Sequence, residues 1–413
     1  MRARTGYAQL PLHGGKAPAW LFGRMVKLAR EISIHIVAEF GPDEMLRRLS
    51  DPFWFQAFGC VLGFDWHSSG VTTTVTGALK EGIRGAEHEL GFYAGGGKGA
   101  ASRKTPSEIT AVCERTSTDP RPLVYASRMA AKVDSAAVQD GYQLYHHAFF
   151  FTPVGGWCVV QQGMNDANGM ARRYHWLAES VKSYVNEPHA AICAEAEAPT
   201  LNLVAVESEP VRTASAELAR AKPDVVLSAL RGLPALTMPR RHAVLVADVD
   251  TRYLEKILLK TYERVPEDFE TLLGMEGVGA RTIRALALTS EIIYGTPAST
   301  RDPARFSFAH GGKDGHPFPV PLTVYDESIA VLRRALDAAQ LGRTDKLDGV
   351  GRLDRFARSI ERHLDPTADV EGTIQREREM SPRFGGRTVL DDRKPAKRPA
   401  QRRGQLDLFT SER

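Results

Sequence analysis

Two apolar runs separated by a short glycine turn constrain the fold of this 413-residue sequence most strongly. Residues 145–152 and 157–162 are rich in β-branched and aromatic side chains, and they flank Pro153-Val154-Gly155-Gly156. Runs of this composition on both sides of a glycine turn are typical of a β-hairpin. The sequence therefore predicts a hairpin in this part of the chain.

Helical and strand patterns alternate through the first 235 residues. Apolar residues recur at helical spacing within 18–62, and a further helix is predicted over 122–140. The glycines of 95–99 break the pattern and predict a loop, after which Thr105 is placed as the N-cap of the next helix. Together with the hairpin, these patterns indicate a mixed α/β domain.

The character of the chain changes after this domain. Residues 240–365 are predicted to be nearly all helical, whereas 375–404 contain almost no aliphatic side chains and cannot bury enough surface to fold alone. We therefore predict an α+β protein with three parts. The first is a mixed α/β domain over 1–235, which we predict to be the catalytic domain. It is followed by a mainly helical DNA-binding domain over 236–365 and a disordered basic tail over 366–413.

Composition limits the class of protein. The net charge is only +4, so overall charge does not indicate a nucleic-acid partner. The four cysteines form no CxxC pair, which argues against a zinc knuckle or a disulfide framework and favours reduced thiols. No apolar run follows Met1 as in a signal peptide, and no stretch approaches the roughly 20 apolar residues of a membrane span. We expect a cytoplasmic protein without a membrane partner.

The last ten residues contain the pentapeptide Gln405-Leu406-Asp407-Leu408-Phe409. It resembles the bacterial sliding-clamp-binding motif, Gln-Leu-(Ser/Asp)-Leu-Phe, at all five positions. An extended peptide of this kind can place its leucines and phenylalanine in an apolar pocket while the glutamine amide bonds to backbone groups. The resemblance implies the bacterial sliding clamp as a partner. The alternative is that the apolar side chains fold back onto the body of the protein.

Residues 272–283, Leu-Leu-Gly-Met-Glu-Gly-Val-Gly-Ala-Arg-Thr-Ile, resemble a helix-hairpin-helix motif. In that motif the glycines allow a tight turn, and free N–H groups at the start of the second helix bind a DNA phosphate. Such contacts involve the backbone of the DNA and not its bases. The alternative is a purely structural turn. The predicted DNA-binding residues here are Gly277, Val278, Gly279, Arg281, Thr282 and Arg284.

The tetrapeptide His-Gly-Gly-Lys occurs twice, and we interpret His13, Lys16, His310 and Lys313 as further anion-binding, DNA-contacting residues. Two ordinary glycine turns are the alternative. These segments, with 95–104, 134–147 and 157–165, resemble an uncharacterised archaeal and bacterial family, the domain-of-unknown-function family numbered 763. The resemblance spans roughly residues 5–345 and implies no established activity.

The richest cluster of polar residues precedes and enters the hairpin. Asp134 and Asp140, spaced by six on the predicted helix, are candidate ligands for a divalent cation, Mg²⁺ or Mn²⁺. This loosely resembles restriction-type nuclease cores, although Gln161-Gln162 stands where those have Glu-x-Lys. Adjacent histidines on a strand face opposite sides, so His146 and His147 cannot share one site. The alternative is a polar network that supports the hairpin. The candidate catalytic residues are Lys132, Asp134, Asp140, His146, His147 and Gln162.

Three functional hypotheses follow for a DNA-processing protein of replication or repair. The first is a structure-dependent, metal-requiring nuclease tethered to the sliding clamp. The second is a helix-hairpin-helix DNA glycosylase or lyase centred on Asp302 and a lysine, although Arg281 occupies the position of that family's nucleophilic lysine. The third is a non-catalytic, clamp-bound adaptor. In addition, Arg172, Arg173 and His175 form a basic cluster that we interpret as a helix start facing DNA or solvent.

Overall fold

The computed structural model describes residues 19–63, 70–166, 170–194, 199–231, 251–304 and 322–361. The clamp-peptide residues Gln405 to Phe409 lie outside these ranges, as do both His-Gly-Gly-Lys segments and the predicted tail. The described residues form helices and antiparallel strands, so the predicted mixture of α and β structure is confirmed. None of the described helices is both long enough and apolar enough to cross a membrane.

Helices dominate the first part of the described chain, residues 19–90. In order they are α1 (Ala19–Phe40), α2 (Pro42–Ser50), α3 (Pro52–Leu62), α4 (Gly70–Ile83) and α5 (Glu87–Leu90). The start of α3 is encoded locally, since the Asp51 carboxylate accepts hydrogen bonds from the backbone N–H groups of Phe53 and Trp54. All the residues of α3 after Pro52 are buried, which is expected of a helix that is apolar on every side.

The central part of the chain carries the sheet. Its elements are β1 (Tyr93–Lys98), α6 (Thr105–Thr116), α7 (Arg121–Lys132), β2 (Val138–Gln139), β3 (Gln143–Phe151), β4 (Trp157–Asn165), β5 (Met170–Leu177), β6 (Ala191–Ala194) and β7 (Leu201–Asn202). Five strands form an antiparallel sheet in the order β1-β3-β4-β5-β6, and β2 pairs with β7. The predicted hairpin is confirmed as β3 and β4, which close where Phe151 faces Trp157.

Two local predictions in this region are wrong. The glycines of 95–99 do not form a loop, because Gly95 to Gly97 lie inside β1. Glycine is needed there because a Cβ at Gly96 would lie 2.2 Å from the backbone oxygen of His147 on the neighbouring strand. Thr105 is the first residue of α6 and not its N-cap, which is Lys104.

The predicted helix over 122–140 ends early. After α7 the chain makes a single π-helical turn, Val133–Ala137, and then enters β2. Here Leu203 donates its N–H to the oxygen of Ala137, and Val138 pairs with Asn202. Tertiary strand pairing therefore replaces the helix that the local sequence favours.

The remaining elements are helical: α8 (Glu209–Arg220), α9 (Pro223–Arg231), α10 (Thr251–Arg264), α11 (Phe269–Gly274), α12 (Ala280–Tyr294), α13 (Leu322–Ala338) and α14 (Arg343–Glu361). Between 251 and 361 the described residues contain no strand, only an isolated bridge from Ser299 to Asn202. These helices divide between the two faces of the sheet.

Both faces of the sheet are covered, so the protein has three layers. Phe149 and Phe151 point to one core, shared with α6 to α12. Ala148 and Phe150 point to the other core, shared with α1 to α4, α13 and α14. We call these the Phe149 face and the Phe150 face. Burial on both sides explains why β3 ends in an uninterrupted apolar run and not in an alternating pattern.

Candidate functional site

A tight turn over 275–279 joins α11 to α12 on the Phe149 face. Asp268 caps α11 by accepting a hydrogen bond from the N–H of Thr271. Gly277 adopts φ +87°, and a Cβ there would lie 2.8 Å from the Ile257 side chain, so glycine suits both its conformation and its space. Val278 is buried and anchors the turn to the core.

The carbonyl groups of this turn are bound by side chains from the body of the protein. Lys132 Nζ donates to the oxygen of Met275 at 3.1 Å and to that of Val278 at 2.5 Å. Gln139 Nε2 donates to the oxygen of Ala280 at 2.8 Å. Lys132 is half-buried, and burial lowers its pKa below the usual value. Predicted as a catalytic residue, Lys132 is used here to hold the turn.

These bonds fix which edge of the backbone is left facing outward. In a planar trans peptide the N–H points opposite to the C=O of the same unit. Because the three carbonyls point toward Lys132 and Gln139, the N–H groups of Glu276, Gly279 and Arg281 point away from those side chains. The turn therefore presents peptide donors on the side opposite its supports.

The start of α12 has the electrostatics of an anion site. Its N-cap, Gly279, supplies no side-chain acceptor, and its first turn contains no acidic residue. The first turn of α12 therefore contains no carboxylate that would compensate the positive end of the helix dipole. The predicted binding residues fall into distinct environments: Arg281 is exposed, Thr282 is buried, and half-buried Arg284 donates to Gln139 Oε1 at 2.7 Å.

Asp134, predicted as a metal ligand, lies in the π-helical turn and is fully buried. Its Oδ2 accepts from Gln161 Nε2 at 2.6 Å and from Trp176 Nε1 at 2.9 Å. Its Oδ1 lies 2.5 Å from His189 Nε2. Both carboxylate oxygens are thus occupied by protein donors, as a satisfied buried carboxylate requires.

The same network fixes the tautomer of His147. Gln161 Nε2 donates to Ala130 O and to Asp134, so its Oε1 must face His147 Nδ1, which lies 2.7 Å away. Nδ1 therefore carries the proton, and Nε2 accepts from the Ser127 hydroxyl at 2.9 Å. Burial lowers the pKa of His147, so the ring is neutral. Ser127 is itself buried, so this series of hydrogen bonds lies in the interior and supports the hairpin.

Asp140, the second predicted metal ligand, belongs to a different buried cluster. Arg172 forms a two-bond ion pair with Asp302, at 3.0 and 2.7 Å, and also bonds Asp140 at 3.0 Å. Asp140 further accepts from the Tyr174 hydroxyl at 2.6 Å and the Tyr142 N–H at 3.0 Å. Burial raises the pKa of Asp140, and the Arg172 charge opposes that rise. Asp302, the predicted centre of the base-excision alternative, is enclosed in this cluster.

Our interpretation of Arg172, Arg173 and His175 as a helix start facing DNA or solvent is wrong. All three lie on β5, and none is more than 1% exposed. Arg173 Nε donates to His175 Nε2 at 2.7 Å, so His175 must carry its proton on Nδ1, which donates to Leu49 O at 2.9 Å. Burial lowers the pKa of His175, and the Arg173 charge lowers it further.

The two histidines of β3 face opposite sides, as predicted. His147 bonds Ser127 on the Phe149 face, whereas His146 bonds Thr76 of α4 on the Phe150 face. Gln162, the last candidate catalytic residue, donates from Nε2 to the Tyr145 hydroxyl at 2.5 Å. The six predicted catalytic residues are therefore distributed over several environments.

Within the described ranges, no group of three or more histidine, cysteine or acidic side chains is arranged to hold a metal ion. The metal-dependent nuclease stays a prediction. Sequence reasoning missed His189 and Trp176, which bond Asp134, and Arg172 and Tyr174, which bond Asp140. Local spacing carries no signal for these pairs, because the partners lie on different elements.

The fold is a three-layer structure in which helices cover both faces of an antiparallel sheet. Side chains from the body of the protein hold the 275–279 turn, which presents peptide N–H groups on its other side. The chain belongs to the family described as a protein of unknown function, DUF763, whose model matches residues 6–320. This confirms the resemblance seen in the sequence. Neither a curated protein nor a solved structure matches the chain.

Proposed function

We propose that this protein binds the sugar–phosphate backbone of DNA through the 275–279 turn and the start of α12, acting as a helix-hairpin-helix element. The supporting observation is that Lys132 binds two carbonyls of the turn and Gln139 binds the carbonyl of Ala280, the first residue of α12. It leaves peptide N–H groups facing outward at the positive end of a 15-residue helix. Exposed Arg281 adds a charge beside them.

Binding of this kind is independent of base sequence, because peptide donors contact phosphates and carry no information about the bases. We further propose that Gln405 to Phe409 bind the bacterial sliding clamp and that the basic residues ahead of them add salt-dependent affinity for DNA. The protein is then a clamp-tethered DNA-binding adaptor. Its contribution is to hold a DNA structure at the clamp at high effective concentration.

The turn is tested by two glycine substitutions with opposite steric consequences. Gly277→Val places a side chain at positive φ against Ile257, whereas Gly342→Ala, between α13 and α14, adds a methyl group where no atom lies within 4 Å. We expect Gly277→Val to lose most of the affinity for a labelled duplex and Gly342→Ala to keep it. Two unrelated duplex sequences should bind equally. Unchanged binding by a folded Gly277→Val protein would overturn the proposal.

Binding of the C-terminal pentapeptide to the sliding clamp is tested separately. Replacing Gln405 and Phe409 by alanine should remove binding to purified clamp while leaving binding to free duplex within a few-fold of wild type. The reason is that the two contacts use different parts of the chain. Unchanged clamp affinity in the double variant would show that the pentapeptide is not the contact.

A further inference from the structure

A cavity of about 450 Å³ lies on the Phe150 face between α1, α4 and the strands β1 and β3. Its volume is in the range of small-molecule sites. Its walls are partly aromatic and apolar, and polar groups converge on them. The lining residues that matter here are Phe22, Phe150, Gly77, Lys98 and His146.

His146 lines this cavity, and its Nδ1 atom is buried. The Thr76 hydroxyl donates its only hydrogen to Thr72 O at 2.7 Å, so Thr76 Oγ1 must accept from His146 Nε2, which lies 2.9 Å away. Nδ1 then carries a lone pair, and it has no hydrogen-bond partner among the described residues. His146 is 2% exposed, and burial lowers its pKa to about 3, so the ring is neutral at physiological pH.

The two lysines of the cavity have different electrostatic environments. Lys80 Nζ lies 2.8 Å from a Glu108 oxygen and donates to Gly96 O at 3.0 Å, so its charge is compensated. Lys98 is exposed, and its Nζ lies 5.7 Å from the centre of the Tyr145 ring. Among the described residues it forms no salt bridge. Lys98 therefore provides a cation at the rim.

A matching ligand needs three properties. It needs a planar apolar body for the Phe22 and Phe150 walls, an N–H group for His146 Nδ1, and an anionic group for Lys98. A buried acceptor without a donor is costly, so the N–H group contributes to affinity and not only to orientation. A nucleoside monophosphate combines all three, since its base is planar, bears N–H groups and is joined to a phosphate.

We propose that this cavity is a nucleotide-binding site, with the base between Phe22 and Phe150, an N–H of the base donated to His146 Nδ1, and the phosphate beside Lys98. The site is separate from the 275–279 turn and goes beyond the DNA-backbone contact proposed above. It supplies the chain with a means of recognising a single nucleotide, whether free or within a strand.

The hydrogen bond to His146 is tested by isothermal titration of the full-length protein with AMP and with purine riboside 5′-monophosphate, which lacks the amino group. We expect AMP to bind about tenfold more tightly. The difference should disappear in His146→Leu. Equal affinities in the wild type would overturn the role of Nδ1. Failure of AMP, GMP, CMP and UMP to bind at millimolar concentration would overturn the site.

Variants at Gly77 test the cavity without touching His146. A Cβ at Gly77 meets only the Phe22 ring, at 4.0 Å, so Gly77→Ala should fold and bind AMP. Gly77→Phe fills the cavity and should abolish binding, and Lys98→Ala should weaken it severalfold. Normal AMP binding by Gly77→Phe would overturn the location. Arg281→Glu should retain AMP binding, which separates this proposal from the DNA-backbone proposal.

Discussion

His146 shows how far a single buried residue can couple the stability of this fold to pH. Its pKa is lowered to about 3, first by burial and then by the neighbouring His147 and the charge of Lys98. The folded state therefore binds fewer protons than the unfolded state between the folded pKa and the ordinary value of 6.5. Stability from this residue is fully present above pH 6.5 and is lost as pH falls toward 3.

We therefore expect His146→Gln to be less sensitive to acid than the wild type. Glutamine keeps a donor for Thr76 and has no charge to acquire. The measurement is urea unfolding of both proteins at pH 7 and pH 5. The free energy of unfolding should fall more in the wild type, since the other buried histidines are common to both proteins. An equal fall would contradict the lowered pKa of His146.

Within the cluster of Arg172, Asp140 and Asp302, we expect replacement of Arg172 to lower the stability of the fold most. Removing the guanidinium takes away the buried cation that two buried carboxylates, Asp140 and Asp302, share. Arg172→Met should destabilise by about 3–5 kcal/mol. Asp140→Asn should cost less, because the pair between Arg172 and Asp302 survives and burial already disfavours the charge on Asp140. Thermal or chemical unfolding decides the order, and a reversed order would contradict this assignment of partners.

At the scale of elements, the α11–α12 turn depends on supports from elsewhere in the fold. Lys132 of α7 holds two of its carbonyls. Lys132→Met keeps the aliphatic stem but removes these donors. We expect DNA affinity to fall severalfold while the base independence of binding stays the same, because Lys132 positions the turn and does not contact DNA. Amide hydrogen exchange should be faster at 275–279. Faster exchange with unchanged DNA affinity would separate the turn from DNA binding.

Elements defined by local chemistry were predictable from the sequence. The β3–β4 hairpin is one, because its turn and both strands are contiguous. Elements defined by distant partners were not. The donors to Asp134 lie 27, 42 and 55 residues away in the chain. Arg172 and Arg173 were predicted to lie at the surface, because charged residues are rarely buried without partners. Their burial depends on partners such as Asp302, 130 residues from Arg172.

At the scale of the whole molecule, the two faces of the sheet carry different functions in our account. The Phe149 face holds the braced turn that we propose to bind DNA, and the Phe150 face holds the cavity that we propose to bind a nucleotide. The sheet between them carries buried polar networks in which Asp134, Asp140 and His147 take part. Asp134 and Asp140 belong to separate networks.

The most direct test of the central claim is the salt dependence of duplex binding, followed by fluorescence anisotropy. Arg281→Glu should weaken binding at least about tenfold and reduce the slope of log affinity against log salt by about 1. The matched control is Arg333→Glu, an exposed arginine on α13 in the opposite layer, with the same charge change. It should have a much smaller effect. Equal losses in the two variants, or unchanged binding by Arg281→Glu, would contradict the proposal that the 275–279 turn holds the DNA backbone.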